Sequence, residues 1–231
     1  MIEDIASLEE PAEERRPLWA LALSGLFHPL LVPSYMYLLL VWVNPYLFGT
    51  LGLGSDRARA TLIMLVLYTA VIPIFAVFIM IRLEMVKGIM IKDRMERIGP
   101  LLLVMILYFW VYWNFNKTND IPTIFTTFLL GVVIALSLSF VVNVVDKISL
   151  HAVGMGGLVG MLMITMGLFG ADGLELGGRT VGLGLLVLVG VVLAGLVGSA
   201  RLALDAHEPT QLYVGYGVGF VAQLIALLIY F

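Results

Sequence analysis

Long uncharged apolar stretches are the feature that most constrains the fold of this chain. Its 231 residues are 61% hydrophobic and only 13% charged, whereas a soluble domain is about half apolar and a quarter charged. A helix that crosses a bilayer needs about 20 mostly apolar residues, and solid apolar runs are unlike the alternation of a membrane β-barrel. We therefore predict an all-α fold, a polytopic integral-membrane helical bundle with six to seven transmembrane helices. The apolar stretches cover residues 18–43, 60–81, 101–115, 124–145, 152–169, 181–198 and 211–231.

The domain organisation follows from the same pattern. Residues 1–16 form an acidic N-terminal tail that does not begin basic, as a cleaved signal peptide would. Residues 17–231 form a single transmembrane helical domain, since the loops are too short to hold a soluble one. The first apolar stretch contains His28-Pro29 and Pro33, so we predict that it is kinked or broken.

Composition also narrows the possible chemistry of the chain. Cysteine is absent, which excludes disulfides, thiol catalysis and zinc–thiolate sites. The cations are not gathered into a surface for nucleic acid.

Two features of the apolar stretches predict how they sit in the membrane and pack. An aromatic run between Tyr108 and Phe115 is predicted to be an interface belt. Gly156 and Gly160 are four residues apart, as are Gly215 and Gly219. This spacing favours packing inside one bundle, with a homo-oligomer through the Gly-rich helices as the alternative.

Three polar clusters follow the second, fourth and sixth apolar stretches. With seven spans, these three positions lie on one side of the membrane by parity. Arg and Lys suit the binding of phosphate oxygens, and two histidines allow one to attack phosphorus while the other protonates the leaving oxygen. The clusters comprise Lys87, Lys92, Arg94 and Arg97; Asp146, Lys147, Ser149 and His151; and Arg201 and His207.

Each cluster alone has a simpler interpretation. Flanking arginines commonly reach toward the headgroups, Arg201 and Asp205 have the spacing of an ordinary helical ion pair, and a lone histidine such as His151 is more often part of a packed core. His28, followed by Pro29 among apolar residues, is interpreted as structural. The convergence of three clusters on one face favours a phosphate site.

Two local features lie beside these clusters. Pro209 falls where a first helical turn is expected, so the last helix should begin near Glu208, and the N–H groups at its start should attract phosphate. Asn143 and Asp146 end the fourth stretch. They either orient His151 or Lys147, or form an ordinary cap at the membrane interface.

The order of these residues resembles the type-2 phosphatidic acid phosphatase family of integral-membrane lipid phosphatases, which is related to the vanadium haloperoxidases. That family carries Lys-x6-Arg-Pro, Pro-Ser-Gly-His and Ser-Arg-x5-His-x3-Asp, in this order. Here two apolar stretches separate the first two signatures, which the family usually places in one loop, and the similar region spans residues 87–220. The matching residues are Lys92, Arg94, Arg97 and Pro100; Ser149 and His151; and Arg201, His207 and Gln211.

The resemblance implies a role for each residue. His207 would be the nucleophile that forms a phosphohistidine, and His151 the acid for the leaving group. Gln211 stands at the position of the family's Asp; its carbonyl can fix the tautomer of the nucleophile but cannot stabilise imidazolium by charge. Asp205 or Glu208 is hypothesised to supply that charge. Phosphate would be bound by Lys92, Arg97, Ser149 and Arg201, with Arg94 as substitute or helper, and no metal or other cofactor is implied.

The expected function is an integral-membrane phosphatase that acts on a lipid phosphate or isoprenyl diphosphate at the membrane interface. Two alternatives remain: a lipid phosphotransferase on the same scaffold, and a non-catalytic lipid-binding or transport protein. The expected location is the plasma or inner membrane of a prokaryote. The side of the site stays open, because nine cations face four across the membrane, but only five face four once candidate phosphate ligands are left out.

Overall fold

The computed structural model of the protein is a bundle of membrane-spanning helices. It describes residues 16–50, 52–88, 91, 93–118, 121–169, 173–176 and 179–231, so most of the N-terminal tail lies outside the described residues. In these ranges seven helical segments are long and apolar enough to cross a membrane, which confirms the predicted fold class. The helices are α1 (Leu18–Leu26), α2 (Val32–Val43), α3 (Asp56–Val66), α4 (Ile72–Arg82), α5 (Ile98–Lys117), α6 (Thr123–Val145), α7 (Leu150–Leu168), α8 (Leu183–Ala203) and α9 (Pro209–Tyr230).

The first two spans are irregular. The first consists of α1, a 3-10 turn over Pro29–Leu31 and α2, so the predicted break is confirmed. Its cause is Pro29, which lacks an N–H and forces the preceding His28 into an extended conformation (φ −63°, ψ 134°). The second span joins α3 to α4 through a π-helical turn over Leu67–Val71.

Tyr108 connects these two irregular regions. Its hydroxyl lies 3.3 Å from the Leu30 carbonyl oxygen and 3.2 Å from that of Thr69. Pro73 has no N–H for the Thr69 carbonyl four residues before it, so the phenol supplies the missing donor. Tyr108 is therefore buried in the bundle and is not part of an interface belt, whereas Trp110 and other members of the aromatic run are exposed on the outer face of α5.

Glycines set the tightest contact of the bundle, between α7 and α9. A Cβ atom added at Gly156 would lie 2.8 Å from the Tyr216 Cα atom, and one at Gly215 would lie 2.8 Å from the Ala152 Cβ atom. The paired glycines thus serve packing within one chain, while association between chains stays a prediction. Because α7 begins beside His151 and α9 follows His207, this contact holds the two candidate catalytic histidines at one end of the bundle.

A short hairpin connects α7 to α8. Strands β1 (Gly173–Leu176) and β2 (Arg179–Gly182) are antiparallel, with Gly173 opposite Gly182 and Leu176 opposite Arg179. The sequence predicted only a loop here. Strands of four residues are too short to show an alternating pattern in the sequence. The hairpin lies at the far end of α7 from His151 and takes no part in the candidate site.

Candidate functional site

One end of the bundle gathers polar side chains from five of the spans. These side chains come from α1 and the turn after it, the segment before α5, the first turns of α7, the last turn of α8 and the segment before α9. The alternation of spans across the membrane predicted that the last four of these segments lie on one side. The contribution of the first span is a finding of the structure. The residues are Ser24 and His28; Arg97; Ser149 and His151; Arg201; and His207 with Gln211.

His207 and Gln211 form the pair predicted from their spacing. The Nδ1 atom of His207 lies 3.0 Å from Oε1 of Gln211. The same oxygen accepts the backbone N–H of Glu208 at 3.4 Å, so the amide presents its acceptor to both neighbours. In the neutral ring, Nδ1 therefore carries the proton and Nε2 carries the lone pair that a nucleophile needs.

The environment of His207 keeps the ring neutral. Its pKa falls from the ordinary 6.5 to about 4, chiefly because burial disfavours the charged form. The hydrogen bond with Gln211 raises the pKa, and the positive charges of Arg97, Arg201 and Lys147 lower it. At neutral pH the ring is thus available for attack, close to three cations.

The start of α9 is a helix cap. Pro209 occupies the first turn as predicted, and the carboxylate of Glu208 accepts the N–H of Gln211 in a capping box. The expectation that this terminus attracts phosphate stays a prediction, with fewer donors than expected: Pro209 has no N–H, and the Glu208 carboxylate accepts one N–H of the first turn. The charges that act on the pKa of His207 are those of three cations, so its surroundings give no support to the hypothesis that Glu208 or the exposed Asp205 supplies charge to the ring.

Arg201 lies half-buried at the end of α8 and forms no salt bridge with the residues that the structure describes. One terminal nitrogen donates to the hydroxyl of Ser24 at 3.2 Å. The Nε atom is buried and has no hydrogen-bond acceptor among the residues that the structure describes. Such a donor is costly to leave unpaired. An anion bound beside this Nε would supply the acceptor that the described residues do not.

Arg97 has more of its hydrogen-bond donors in use than Arg201. Its Nε and one terminal nitrogen donate to the Ile91 carbonyl at 3.0 and 2.9 Å, and the other terminal nitrogen donates to the Ile148 carbonyl at 3.3 Å. Arg97 and Arg201 are near enough to repel each other electrostatically. An anion bound near both half-buried guanidinium groups would offset this repulsion.

Arg94 has a different position from the one implied by the resemblance. It is exposed, and its guanidinium donates to the Val144 and Val145 carbonyls at the end of α6. In return, the Asn143 amide donates to the Arg94 carbonyl at 2.9 Å. Asn143 therefore holds the Arg94 loop and does not orient His151. Lys92, the remaining cation of this cluster, lies outside the described residues.

His151 and Ser149 begin α7. The fully buried Ser149 hydroxyl accepts the Ala152 N–H at 3.4 Å and so caps the helix. The Nε2 atom of His151 lies 3.0 Å from the Ser24 carbonyl oxygen. Its ring packs edge-on against that of His28, with centroids 5.3 Å apart. Ser24 and His28 are thus part of the site, and only the His28-Pro29 pair gave a sequence signal, that of a helix break.

A groove of about 380 Å³ opens beside these residues between the end of α6 and the start of α9. Its wall is apolar, with Val142, Val145 and Val214, and its polar end includes Gln211 and Lys147. The groove is thus apolar along one side, and its polar lining also includes the carboxylate of Asp146.

The described part of the site offers few ligands to a metal ion. Within the described ranges, no three His, Asp or Glu side chains are grouped to hold a metal ion. Comparison of the chain with protein-family models, with curated proteins and with solved structures finds no match.

Proposed function

We propose that this protein is an integral-membrane phosphatase that hydrolyses a lipid phosphate or pyrophosphate through a phosphohistidine. One observation carries the proposal: a neutral histidine with a free Nε2 lone pair lies beside two guanidinium groups whose charge lacks a counterion among the described residues. A phosphate group would supply that counterion, and its phosphorus is the electrophile that such a histidine attacks.

The reaction follows from the roles of these groups. Nε2 of His207 forms a bond to phosphorus while the bond from phosphorus to the lipid oxygen breaks. Arg97 and Arg201 stabilise the negative charge that builds on the phosphoryl oxygens. For a lipid monophosphate, the leaving lipid oxygen takes the proton that Nδ1 of His151 has picked up. For a lipid pyrophosphate, Nε2 attacks the terminal phosphorus and the bond to the bridging oxygen breaks, so the lipid monophosphate leaves. Water then attacks the phosphorus and gives up a proton, to Nδ1 of His151 or to bulk water, while the bond from Nε2 to phosphorus breaks. Inorganic phosphate leaves, and His207 returns to its neutral form.

The position of the site supports the proposed substrate class. The cluster lies where helices of a membrane bundle begin and end, so a headgroup can reach it while an acyl or isoprenyl chain stays in lipid. The groove between α6 and α9, with its apolar wall and a polar end at Gln211, supports an amphiphilic substrate. We place the protein in the plasma or inner membrane of a prokaryote, as the sequence suggests.

The direct test is phosphate release by the purified protein in detergent without added metal. The substrates offered are phosphatidic acid, phosphatidylglycerol phosphate and an isoprenyl diphosphate. We expect release from at least one, and its loss in His207→Ala. Asp205→Asn is the matched control, because Asp205 is exposed two residues away and asparagine tolerates its positive φ of 49°; it should keep full activity. Undiminished release by His207→Ala, or none by the folded wild-type protein, would contradict the proposal.

A second candidate function is the binding of a lipid phosphate without turnover. Two observations favour it: Arg97 and His151 already use donors on main-chain carbonyls, and Gln211 offers His207 no charge. Retained binding of the same lipids to the wild-type protein, with no release in the assay above, would establish this alternative. Loss of the phosphoryl group from the lipid only in the presence of an alcohol, with that group recovered on the alcohol and not as inorganic phosphate, would instead indicate a phosphotransferase.

A further inference from the structure

The break in the first span leaves one main-chain carbonyl of α1 without its usual partner. In a continuous α-helix the N–H of residue 28 would bond to the carbonyl of residue 24. Here the His28 N–H bonds to the Gly25 carbonyl at 3.3 Å, because Pro29 has no N–H to offer that carbonyl. The Ser24 carbonyl is thereby freed. Ser24 is only 7% exposed, so this oxygen needs a partner inside the protein.

His151 is that partner. Its Nε2 atom lies 3.0 Å from the Ser24 carbonyl oxygen. A carbonyl oxygen only accepts hydrogen bonds, so Nε2 must carry the proton. In the neutral ring the lone pair then lies on Nδ1, the atom from which His151 can pick up and pass on a proton.

The side chain of the same residue holds the second element of the site. The Ser24 hydroxyl accepts a hydrogen bond from Arg201 at 3.2 Å. One residue of α1 therefore contacts the candidate acid through its main chain and a candidate phosphate ligand through its side chain. These two groups belong to α7 and α8, which also pack against each other.

We propose that Ser24 is a positioning residue: the helix break at Pro29 turns its carbonyl toward His151 and selects the Nε2–H tautomer, while its hydroxyl fixes the guanidinium of Arg201. Ser24 acts through these two residues and does not itself take part in the chemistry. The inference deepens the proposed function and rests on it for the role of Arg201, whereas the tautomer of His151 is a property of the protein alone.

The first half of the proposal, the contact of the Ser24 carbonyl with His151, is tested by ¹⁵N NMR of the histidine rings. This measurement distinguishes the two neutral tautomers. The chain has only three histidines, so single replacements assign the signals. We expect Nε2–H for His151 in the wild-type protein and a mixture of tautomers in Pro29→Ala, which allows the helix to continue. Pro33→Ala is the control, because Pro33 lies in the first turn of α2, where no intrahelical N–H is needed. A Pro29→Ala spectrum identical to the wild type would overturn this half, as would Nδ1–H in the wild type.

The hydroxyl half is tested by calorimetric titration with inorganic phosphate. We expect Ser24→Ala to bind phosphate about tenfold more weakly, the effect of losing one hydrogen bond to a charged group. Ser34→Ala is the matched control: it lies in the same span, it is equally buried, and its hydroxyl has no partner in the described part of the chain. Equal affinity of Ser24→Ala and the wild type would overturn this half.

The two measurements separate this inference from the proposed function. If the wild-type protein binds no phosphate, the proposed function fails and the Arg201 role of Ser24 fails with it. The ring spectra still decide whether Ser24 holds His151. If Pro29→Ala does not fold, the wild-type spectrum and the paired serine variants carry the decision.

Discussion

At the residue scale, Gln211 serves two neighbours with one oxygen atom. Its Oε1 accepts the N–H of Glu208, which completes the cap of α9, and also faces Nδ1 of His207. Glutamine or glutamate is the usual residue at this position of a capping box, because only the longer side chain reaches back to the cap. The cap thus gives a structural reason for a glutamine where the resembling family has aspartate.

Replacing Gln211 by glutamate should therefore keep the cap and add charge. A carboxylate beside Nδ1 favours the imidazolium, so we expect the pKa of His207 to rise from about 4. Attack requires the unprotonated ring, so wild-type kcat/KM should fall only as the pH drops through about 4, and Gln211→Glu should lose activity at a higher pH. The measurements are the pH–rate profile and an NMR titration of His207.

Gln211→Met is the control for this prediction, since it keeps the length of the side chain and removes the acceptor. It should lower activity without raising the pKa of His207. An unchanged acidic limb in Gln211→Glu would contradict the assigned contact.

The sequence predicted those site residues whose position depends on local spacing. His207 and Gln211 are four residues apart, and Pro209 fixes the start of the helix between them, so their contact follows from the chain itself. Ser24 was missed because it acts on His151 through a main-chain carbonyl, which every residue has. Arg94 reaches the end of α6 through tertiary packing, and no local pattern distinguishes it from Arg97.

At the element scale, the contact between α7 and α9 determines the spacing of the two histidines. Each helix has glycines where the backbone of the other approaches, so no side chain separates α7 from α9 in their first turns. A larger residue in this contact must push α9 outward, and His207 would move with it.

We expect Gly156→Ala to destabilise the protein by about 1–3 kcal/mol, the usual cost of overpacking. The added methyl would meet the backbone of Tyr216, which cannot move aside as a side chain can. The matched control is Gly167→Ala in the same helix, where nothing lies within 4 Å of the added atom; it should be neutral or slightly stabilising. Thermal unfolding in detergent measures both. Equal melting temperatures for the two variants would contradict the close approach of α7 and α9.

The sequence predicted those elements whose cause lies within their own residues. Pro29 breaks the first span and long apolar runs make the spans, and both are visible in the chain. The burial of Tyr108 was missed, because its hydroxyl is needed only where two irregular helices meet it in three dimensions. The β1–β2 hairpin was missed because four-residue strands are too short to show a period.

At the scale of the whole molecule, α5 and α6 form a hairpin whose two open ends meet. Arg97 before α5 donates to the Ile148 carbonyl after α6, and Arg94 donates to the carbonyls that end α6. Two spans are thus placed between the first and second polar clusters without separating them. The sequence alone indicated an insertion, and the structure shows why it does not disrupt the cluster.

The alternation of spans predicts which loops share a side. Because the chain has no native cysteine, single cysteines can be placed in exposed loops and labelled in sealed vesicles with an impermeant maleimide. Asp146→Cys and Asp205→Cys should react from one side, and Gly54→Cys and Thr118→Cys from the other. The result also fixes the orientation that charge counting left open. Labelling of Asp146→Cys and Asp205→Cys from opposite sides would contradict the seven-span topology.

The site is assembled from residues that lie far apart in the chain, from Ser24 to Gln211, and this has a consequence for biosynthesis. Spans enter a membrane in the order in which the ribosome makes them, so Arg97, His151 and Arg201 are all in place before His207 exists. Helix α9 then covers the glycine face of α7 and delivers His207 in the same event. Under the proposed function, a nascent chain stalled before α9 lacks its nucleophile, so activity begins only when folding of the bundle is complete.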